Sequence, residues 1–251
     1  MLMLNRHDGR QGIMSSWIRI AHRGASGSAP ENTLAAFKTA LEMGVDAVEL
    51  DLHGTADGEI VVIHDATLDR TTNLHGYINE TPLETVRGAD AGDWFDTEFA
   101  GEPVPTLTEA LECIGKETIA VLEIKDPLIA EAVVAKIHET ETLGDTVVIS
   151  FHTRVLQTIR TLEPRIATGW LIGSHNKHVS PIALCQQLGE LGSSLLNVNH
   201  ELITAEFAYE VRRRGIALWC WTVDDITRMR EMKARGVQGI TSNYPERFAE
   251  V

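Results

Sequence analysis

Short apolar runs recur along the chain at intervals that suit alternating strands and helices. The runs are rich in Val, Ile and Leu on consecutive positions, which is typical of strands that are buried on both faces. The segments between them repeat apolar residues with helical periodicity and end at Gly or Pro. We predict eight strands, at 18–21, 47–52, 120–124, 147–150, 167–172, 195–198, 217–222 and 239–242.

Helical segments separate these strands. The first is predicted to begin at Pro30-Glu31-Asn32-Thr33 and to run to about Met43, where Gly44 ends it. Alternation of strands and helices favours a parallel sheet with helical crossovers. Eight such units in 251 residues favour a closed barrel over an open sheet. The predicted fold class is therefore α/β, a TIM (β/α)8 barrel.

One stretch interrupts the alternation. Residues 65–105 are rich in Thr, Gly, Asp and Pro and follow a further apolar run at 60–63, so we predict a small insertion after the second strand. No Pro-, Gly- or Ser-rich linker divides the remainder, and 17–251 is expected to form a single domain. Residues 1–16 lack the features of a secretory signal and are expected to be a flexible leader.

Composition narrows the range of partners. The formal net charge of −14 disfavours nucleic acid as a partner, and an anionic substrate would need local positive charge at its site. No apolar run approaches the length of a membrane span. The three cysteines are widely spaced, which favours reduced thiols. We therefore expect a cytoplasmic protein that is a monomer or a homodimer.

Charged and imidazole side chains collect where the predicted strands end, the edge that carries the active site in (β/α)8 barrels. Carboxylates at such positions are unusual and indicate a functional role, because branched apolar residues fill most inward barrel positions. Two of them lie two residues apart on one strand and share a face. The residues at these strand ends are His22, Arg23, Glu49, Asp51, His64, Glu123 and Lys125.

These residue types indicate metal-assisted hydrolysis of an anionic substrate. A carboxylate pair such as Glu49 and Asp51 is by itself more often part of a salt bridge, but Glu123 on another strand adds a third hard ligand. Three carboxylates suit Mg²⁺ or Ca²⁺ better than zinc. Two histidines suit a general acid and a general base. Arg23 and Lys125 are either structural salt-bridge residues or clamps for phosphate oxygens.

Several blocks of the sequence, in this order, resemble the glycerophosphodiester phosphodiesterase family. The resemblance extends from about Ile18 to the C-terminus. The blocks are His22-Arg23-Gly24-Ala25, Pro30-Glu31-Asn32-Thr33, Glu49-Leu50-Asp51, His64 to Thr72, Pro105-Thr106-Leu107, Leu122-Glu123-Ile124-Lys125, Trp221-Thr222-Val223 and Thr241 to Pro245.

The resemblance implies metal-dependent hydrolysis of glycerophosphodiesters to glycerol 3-phosphate and an alcohol, with one divalent cation, Mg²⁺ or Ca²⁺. It implies that Glu49, Asp51 and Glu123 bind the metal, that His22 and His64 are the catalytic pair, that Arg23 and Lys125 contact phosphate, and that Trp221 lines the pocket. Glu31 and Asn32 belong to the site or cap the first turn of the helix.

Other functions fit parts of the pattern. One is a lysophospholipase D or phospholipase-like activity on a lipid phosphodiester, which would need an exposed apolar rim near the barrel mouth. Trp94, Phe95 and Phe99 could supply one, but we expect them to form the core of the insertion. Another is a catalytically silent phosphate-binding barrel, and a third is a metal-dependent lyase or isomerase on the same fold.

Overall fold

The computed structural model describes residues 17–251, so the leader expected at 1–16 lies outside the described residues. Eight of its nine strands are parallel, and pairing of the first with the second closes them into a barrel. The TIM-barrel prediction is confirmed. The strands are β1 Ile18–His22, β2 Ala47–Gly54, β3 Ile60–Val62, β4 Ile119–Ile124, β5 Thr146–Ser150, β6 Ala167–Ile172, β7 Leu195–Asn199, β8 Ala217–Trp221 and β9 Gly239–Ser242.

Helices follow the parallel strands and pack on the outside of the barrel. They bury apolar faces against it, and the strands become apolar on both faces because the barrel interior is also filled. The helices are α1 Leu34–Glu42, α2 Leu83–Arg87, α3 Leu107–Ile114, α4 Ala130–Glu139, α5 Thr153–Leu162, α6 Pro181–Glu190, α7 Ala205–Arg212 and α8 Ile226–Ala234.

Helix α1 begins at Leu34, later than the Pro30 predicted from the sequence. Asn32 adopts a left-handed conformation with φ of 59°, which interrupts a right-handed helix. Thr33 is the N-cap, and its side chain accepts a hydrogen bond from the amide of Ala36. The alternative that Asn32 or Glu31 caps this helix is therefore wrong, and both side chains are free for other contacts.

The segment between β2 and β4 packs as an excursion on the side of the barrel. Strand β2 extends beyond the end of β1, and β3 pairs antiparallel with that extension. A separate apolar cluster forms beneath it, from Val61, Ile63, Leu68, Ile78, Val86, Ala89, Ala91 and Val104. The prediction that Trp94, Phe95 and Phe99 form this core is wrong. Trp94 is 42% exposed, and the three rings stack edge to face near the surface.

The strand register decides which residues reach the barrel mouth. His22 is aligned with Glu49, and Asp51 with Glu123, across the β1–β2 and β2–β4 pairs. Deeper inward positions are apolar and pack together, so polar side chains are concentrated at the carboxyl ends of the strands. The deeper cluster consists of Ile20, Ala47, Val121, Ile149, Leu171, Leu195 and Trp219. Within 17–251, no helix has the length and apolar character needed to cross a bilayer.

Candidate active site

Three buried carboxylates converge at the mouth of the barrel. Glu49, Asp51 and Glu123 each offer an oxygen, and these oxygens lie within 4.8 Å of one another. Two cations are packed against them. The ammonium of Lys125 is 2.6 Å from Glu123 Oε1 and 3.0 Å from Asp51 Oδ1, and Arg23 Nε is 3.2 Å from Asp51 Oδ2. The residues that the sequence singled out for metal and phosphate binding are thus brought together.

The three carboxylates differ in their electrostatic environment. Burial and the nearby charges of Asp51 and Glu123 raise the pKa of Glu49 well above its usual value. Burial and the charge of Asp51 raise the pKa of Glu123 to about 7. Burial alone would also raise the pKa of Asp51, but Lys125 and Arg23 outweigh it and lower that pKa. Mutual repulsion therefore remains among the carboxylates.

The donor set fits a divalent cation. Glu49 Oε1 is buried and finds no hydrogen-bond partner among residues 17–251, which is costly for a carboxylate oxygen unless something else binds it. The raised pKa values of Glu49 and Glu123 indicate that Arg23 and Lys125 do not fully compensate the charge of the three carboxylates. A divalent ion would supply further positive charge there. Hard carboxylate oxygens are the ligands that Mg²⁺ and Ca²⁺ prefer.

His22 is oriented by groups from the loops that follow β8 and β9. Its Nδ1 lies 2.7 Å from Asn243 Oδ1, and Asn243 Nδ2 donates to Asp224 Oδ2 at 2.7 Å. Since this leaves Asn243 Oδ1 as an acceptor, His22 Nδ1 carries the proton and Nε2 is available for proton transfer. Nε2 is 3.9 Å from Glu49 Oε2. Burial and the charge of Arg23 lower the pKa of His22 to about 4, so the ring is neutral near pH 7.

His64 has a carboxylate partner. Its Nδ1 is 2.6 Å from Asp65 Oδ1, and Arg70 holds the same carboxylate from the other side at 2.7 and 3.1 Å. An acceptor at Nδ1 again leaves Nε2 for the site. Burial lowers the pKa of His64, against the opposing charge of Asp51. Each histidine is thus fixed through Nδ1, one by an amide and the other by a carboxylate.

Two residues of the loop after β1 hold left-handed conformations that serve the site. Arg23 has φ of 56°, and its backbone N–H donates to Glu49 Oε2 at 3.0 Å. Asn32 has φ of 59°, donates to Asp51 Oδ2 at 2.9 Å and accepts from the Asp51 amide. Such conformations are uncommon for residues other than glycine and often occur at functional sites. The loop therefore positions two of the three carboxylates.

Glycine 24 allows this loop to approach α1. Its φ is 79°, and a β-carbon there would lie 2.6 Å from the backbone carbon of Ala36. A side chain would therefore displace the loop from the helix. The close packing of Gly24 fixes the position of Arg23, next to it in the chain.

The pocket beyond the carboxylates is lined by apolar and aromatic side chains. The cavity has a volume of about 110 Å³, and its lining includes Ile149, Leu171, Phe151 and Trp221. The rings of Phe151 and Trp221 meet edge to face, with centroids 5.6 Å apart. The indole N–H of Trp221 donates to the carbonyl of Asn197 at 3.1 Å. The predicted pocket residue Trp221 thus lies at the mouth, in a fixed orientation.

Sequence reasoning did not identify several residues that contact the predicted ones. Phe151 directly follows β5, and Asp65 is the second residue after the apolar run at 60–63, so their positions signalled a place at the mouth. Asn243 likewise follows β9, but its contact with His22 spans 221 positions of the chain and depends on closure of the barrel. Arg70 lies within the block from His64 to Thr72 that resembles the family, but the sequence pattern did not mark Arg70 or Asp224 as a contact of the site.

Comparison with known proteins agrees with the family resemblance seen in the sequence. Residues 22–247 match the model of the glycerophosphoryl diester phosphodiesterase family. A glycerophosphodiester phosphodiesterase of Caldanaerobacter subterraneus subsp. tengcongensis is 38% identical, over 90% of this chain and 94% of its own. One from Bacillus subtilis (strain 168) is 30% identical, over 93% of this chain and 86% of its own.

Solved structures share the fold over almost the whole chain. A phosphodiesterase of Oleispira antarctica, in complex with the product sn-glycerol-3-phosphate, has a TM-score of 0.82 and is 31% identical over 92% of this chain and 94% of its own. A glycerophosphodiester phosphodiesterase of Agrobacterium tumefaciens has a TM-score of 0.80, also at 31% identity, over 92% of this chain and 98% of its own. This chain belongs to the glycerophosphoryl diester phosphodiesterase family and is a phosphodiester hydrolase.

Proposed function

We propose that the chain hydrolyses glycerophosphodiesters to glycerol 3-phosphate and an alcohol, with one divalent cation held by Glu49, Asp51 and Glu123. The observation that carries the proposal is the convergence of these three carboxylates beside two histidines that are oriented through Nδ1. Membership of the family supports the reaction class. A product complex of a relative, with sn-glycerol-3-phosphate, supports the identity of the product.

The charges at the mouth suit an anionic phosphodiester as the substrate. A divalent cation would offset the charge of the three carboxylates, so that an anionic group could approach them. The cation would polarise the phosphoryl group and stabilise charge that develops on its oxygens. Arg23 and Lys125 would share the phosphate charge, and their position beside the carboxylates, within 3.2 Å of Asp51 oxygens, supports this role. Mg²⁺ and Ca²⁺ both suit this donor set.

The two histidines divide the proton transfers between them. One of His22 and His64 takes a proton from the nucleophile, and the other gives one to the leaving alkoxide. Burial keeps His22 neutral, so its Nε2 can accept a proton. The nucleophile is water, or the glycerol 2-hydroxyl with a cyclic phosphate that is opened afterwards. Either nucleophile uses the same pair of residues.

Trp221 and Phe151 are proposed to bind the alkyl part of the substrate. Trp221 and Phe151 present ring surface beside the polar half of the cavity, which suits the carbon chain of glycerol or of the alcohol. The location expected for this activity is the cytoplasm.

The test is release of glycerol 3-phosphate from glycerophosphocholine with Mg²⁺, with Ca²⁺ and with EDTA. We expect release that depends on a cation and that falls at least 10²-fold in Glu123→Gln. Glu206→Gln, which changes an exposed carboxylate on α7, is the matched control and should retain full activity. EDTA should abolish turnover in the wild type and in the control alike.

Three outcomes would contradict the proposal. Full activity of Glu123→Gln in the presence of EDTA would exclude the carboxylates as a metal site. Release from lysophospholipid micelles, but not from soluble diesters, would point to the lipid phosphodiesterase instead. Absence of activity on every diester would favour the catalytically silent phosphate-binding barrel.

A further inference from the structure

Arg70 of the insertion binds two carboxylates at the mouth of the barrel. Its Nε and Nη2 donate to Asp65 at 2.7 and 3.1 Å. Its Nη1 and Nη2 donate to Glu31 at 2.9 and 2.8 Å. The guanidinium is thus bidentate to both partners, an arrangement that fixes the planes of the two carboxylates as well as their distance.

Each of these two carboxylates contacts a different residue of the proposed active site. Asp65 contacts Nδ1 of His64 at 2.6 Å. Glu31 Oε1 accepts from Arg23 Nη1 at 2.8 Å, and Arg23 in turn contacts Asp51. One side chain of the insertion therefore reaches a proposed proton-transfer group and a proposed phosphate-binding group, with one residue between in each case.

Stability alone does not account for this arrangement. The side chain of Arg70 is 44% exposed, so solvent screens its ion pairs and reduces their contribution to the free energy of folding. A bidentate guanidinium fixes the orientation of the carboxylates that it binds, whereas an isolated charge does not. Without Arg70, the carboxylate of Asp65 could rotate away from His64. Glu31 would lose one of its two cations, and its whole charge would then act on Arg23.

We propose that Arg70 is a positioning residue for phosphodiester hydrolysis, acting on His64 through Asp65 and on Arg23 through Glu31. The proposal rests on the roles given above to His64 and Arg23. It makes the insertion part of the active site, because Arg70 holds both Asp65 and Glu31 in place at the barrel mouth. Misorientation of His64 lowers kcat, and withdrawal of Arg23 towards Glu31 raises KM.

The first experiment compares Arg70→Ala and Arg70→Lys with Arg87→Ala. Arg87 is a matched control, since it belongs to the same insertion and makes a bidentate pair with Glu109 at 2.7 and 2.9 Å. We expect Arg70→Ala to lower kcat/KM for glycerophosphocholine roughly 10- to 100-fold. Arg70→Lys should recover only part of the loss, because one ammonium cannot be bidentate to both carboxylates. Arg87→Ala should lower Tm and leave kcat/KM unchanged.

Double-mutant cycles separate positioning from a general structural role. If Arg70 acts on His64 through Asp65, Arg70→Ala should cause little further loss of kcat in an Asp65→Asn background. Glu31→Gln should reverse the rise in KM of Arg70→Ala, because it removes the charge that competes for Arg23. Additive losses in both cycles would overturn the proposal, as would equal loss of activity in Arg87→Ala.

A spectroscopic measurement tests the same idea independently of turnover. Nitrogen-15 NMR of the histidine rings reports which nitrogen carries the proton. In the wild type, His64 should be protonated at Nδ1, and Arg70→Ala should populate the other tautomer while His22 stays unchanged. An unchanged His64 tautomer in a folded Arg70→Ala protein would contradict the proposal. This measurement remains decisive even if the wild type fails to hydrolyse glycerophosphocholine, a failure that would count against the proposed function instead.

Discussion

At the scale of single residues, the site depends on how its histidine rings are held. Nδ1 of His22 contacts Asn243, and Nδ1 of His64 contacts Asp65, so both rings are set by neighbours that take no direct part in the proton transfers. The partners differ in charge. A carboxylate stabilises a protonated ring more than an amide does, which gives the two histidines unequal surroundings.

Replacement of either histidine tests its assigned role. We expect His22→Ala and His64→Ala each to lower kcat at least 10²-fold with glycerophosphocholine, because each loses a proton-transfer group. With a p-nitrophenyl diester, whose leaving group needs no proton, the variant that lacks the general acid should regain much of its rate. His178→Ala, at an exposed loop position, is the control. Near-wild-type kcat in both variants would exclude the pair.

The residues that could be predicted from the sequence share a local signal. Glu49, Asp51 and Glu123 are charges within otherwise apolar strands, an anomaly visible without any structure. Asp224 and Asn243 carry no such anomaly, since polar residues are ordinary in loops. Their relation to His22 arises only when the last strand closes against the first.

At the scale of elements, helix α3 shows how local sequence sets a boundary. Thr106 accepts from the Glu109 amide, and the Glu109 side chain accepts from the Thr106 amide, which forms a capping box. Arg87 of α2 is bidentate to the same glutamate. The insertion is thereby attached to the first helix that follows it.

Removal of this cap should lower stability without affecting the site. We expect Thr106→Ala to reduce the free energy of unfolding by about 1 kcal/mol, because an amide at the start of α3 loses its acceptor. Thr106→Ser keeps the hydroxyl and should retain most of the stability. Urea unfolding of the three proteins measures the difference. Equal losses in the Ala and Ser variants would show that the methyl group, and not the cap, matters.

Strands were easier to predict than the start of α1 for a physical reason. A parallel barrel strand is buried on both faces and is therefore apolar at nearly every position. The Pro30 to Thr33 segment has the composition of a helix start, yet Asn32 is used to hold Asp51 and bends the chain out of helical conformation. A functional contact here overrides the local signal.

At the scale of the whole molecule, the barrel separates a stabilising end from a reactive end. Opposite the mouth, Arg19 of β1 binds Asp46, the residue before β2, through Nε at 2.8 Å and Nη2 at 2.9 Å. The Arg19 amide adds a third bond to the same carboxylate. Burial opposes ionisation of Asp46, but the bonds from Arg19 outweigh it and lower the pKa of the carboxyl below its ordinary value.

The lowered pKa predicts how stability depends on pH. An aspartate with a depressed pKa in the folded state stabilises it above the unfolded-state pKa of about 4, and the contribution disappears as pH falls through the folded pKa. Asp46→Asn should therefore cost about 1 kcal/mol at pH 7, a value that allows for partial exposure of the pair, and progressively less towards pH 3.

Urea unfolding at several pH values, with Asp93→Asn at an exposed position as the control, measures this dependence. A difference between wild type and Asp46→Asn that stayed constant from pH 7 to pH 3 would rule out the ion pair as its source.

The overall architecture could be predicted because counting eight strand–helix units needs no tertiary information. The packing of the insertion could not. Trp94, Phe95 and Phe99 are large aromatic residues of that insertion, but aliphatic residues such as Leu68, Ile78 and Val86 form its core. Which apolar residues become buried depends on the surface offered by the barrel, and that surface exists only after folding.

Direct binding of a divalent cation is the most direct test of the account. Calorimetric titration of metal-free protein with Mg²⁺ and with Ca²⁺ should show one site per chain, and Glu49→Gln should weaken binding of the preferred ion at least tenfold. Glu206→Gln should bind as the wild type does. Equal affinity in Glu49→Gln and wild type, or no binding of either ion by the wild type, would contradict the assignment of the three carboxylates as a metal site.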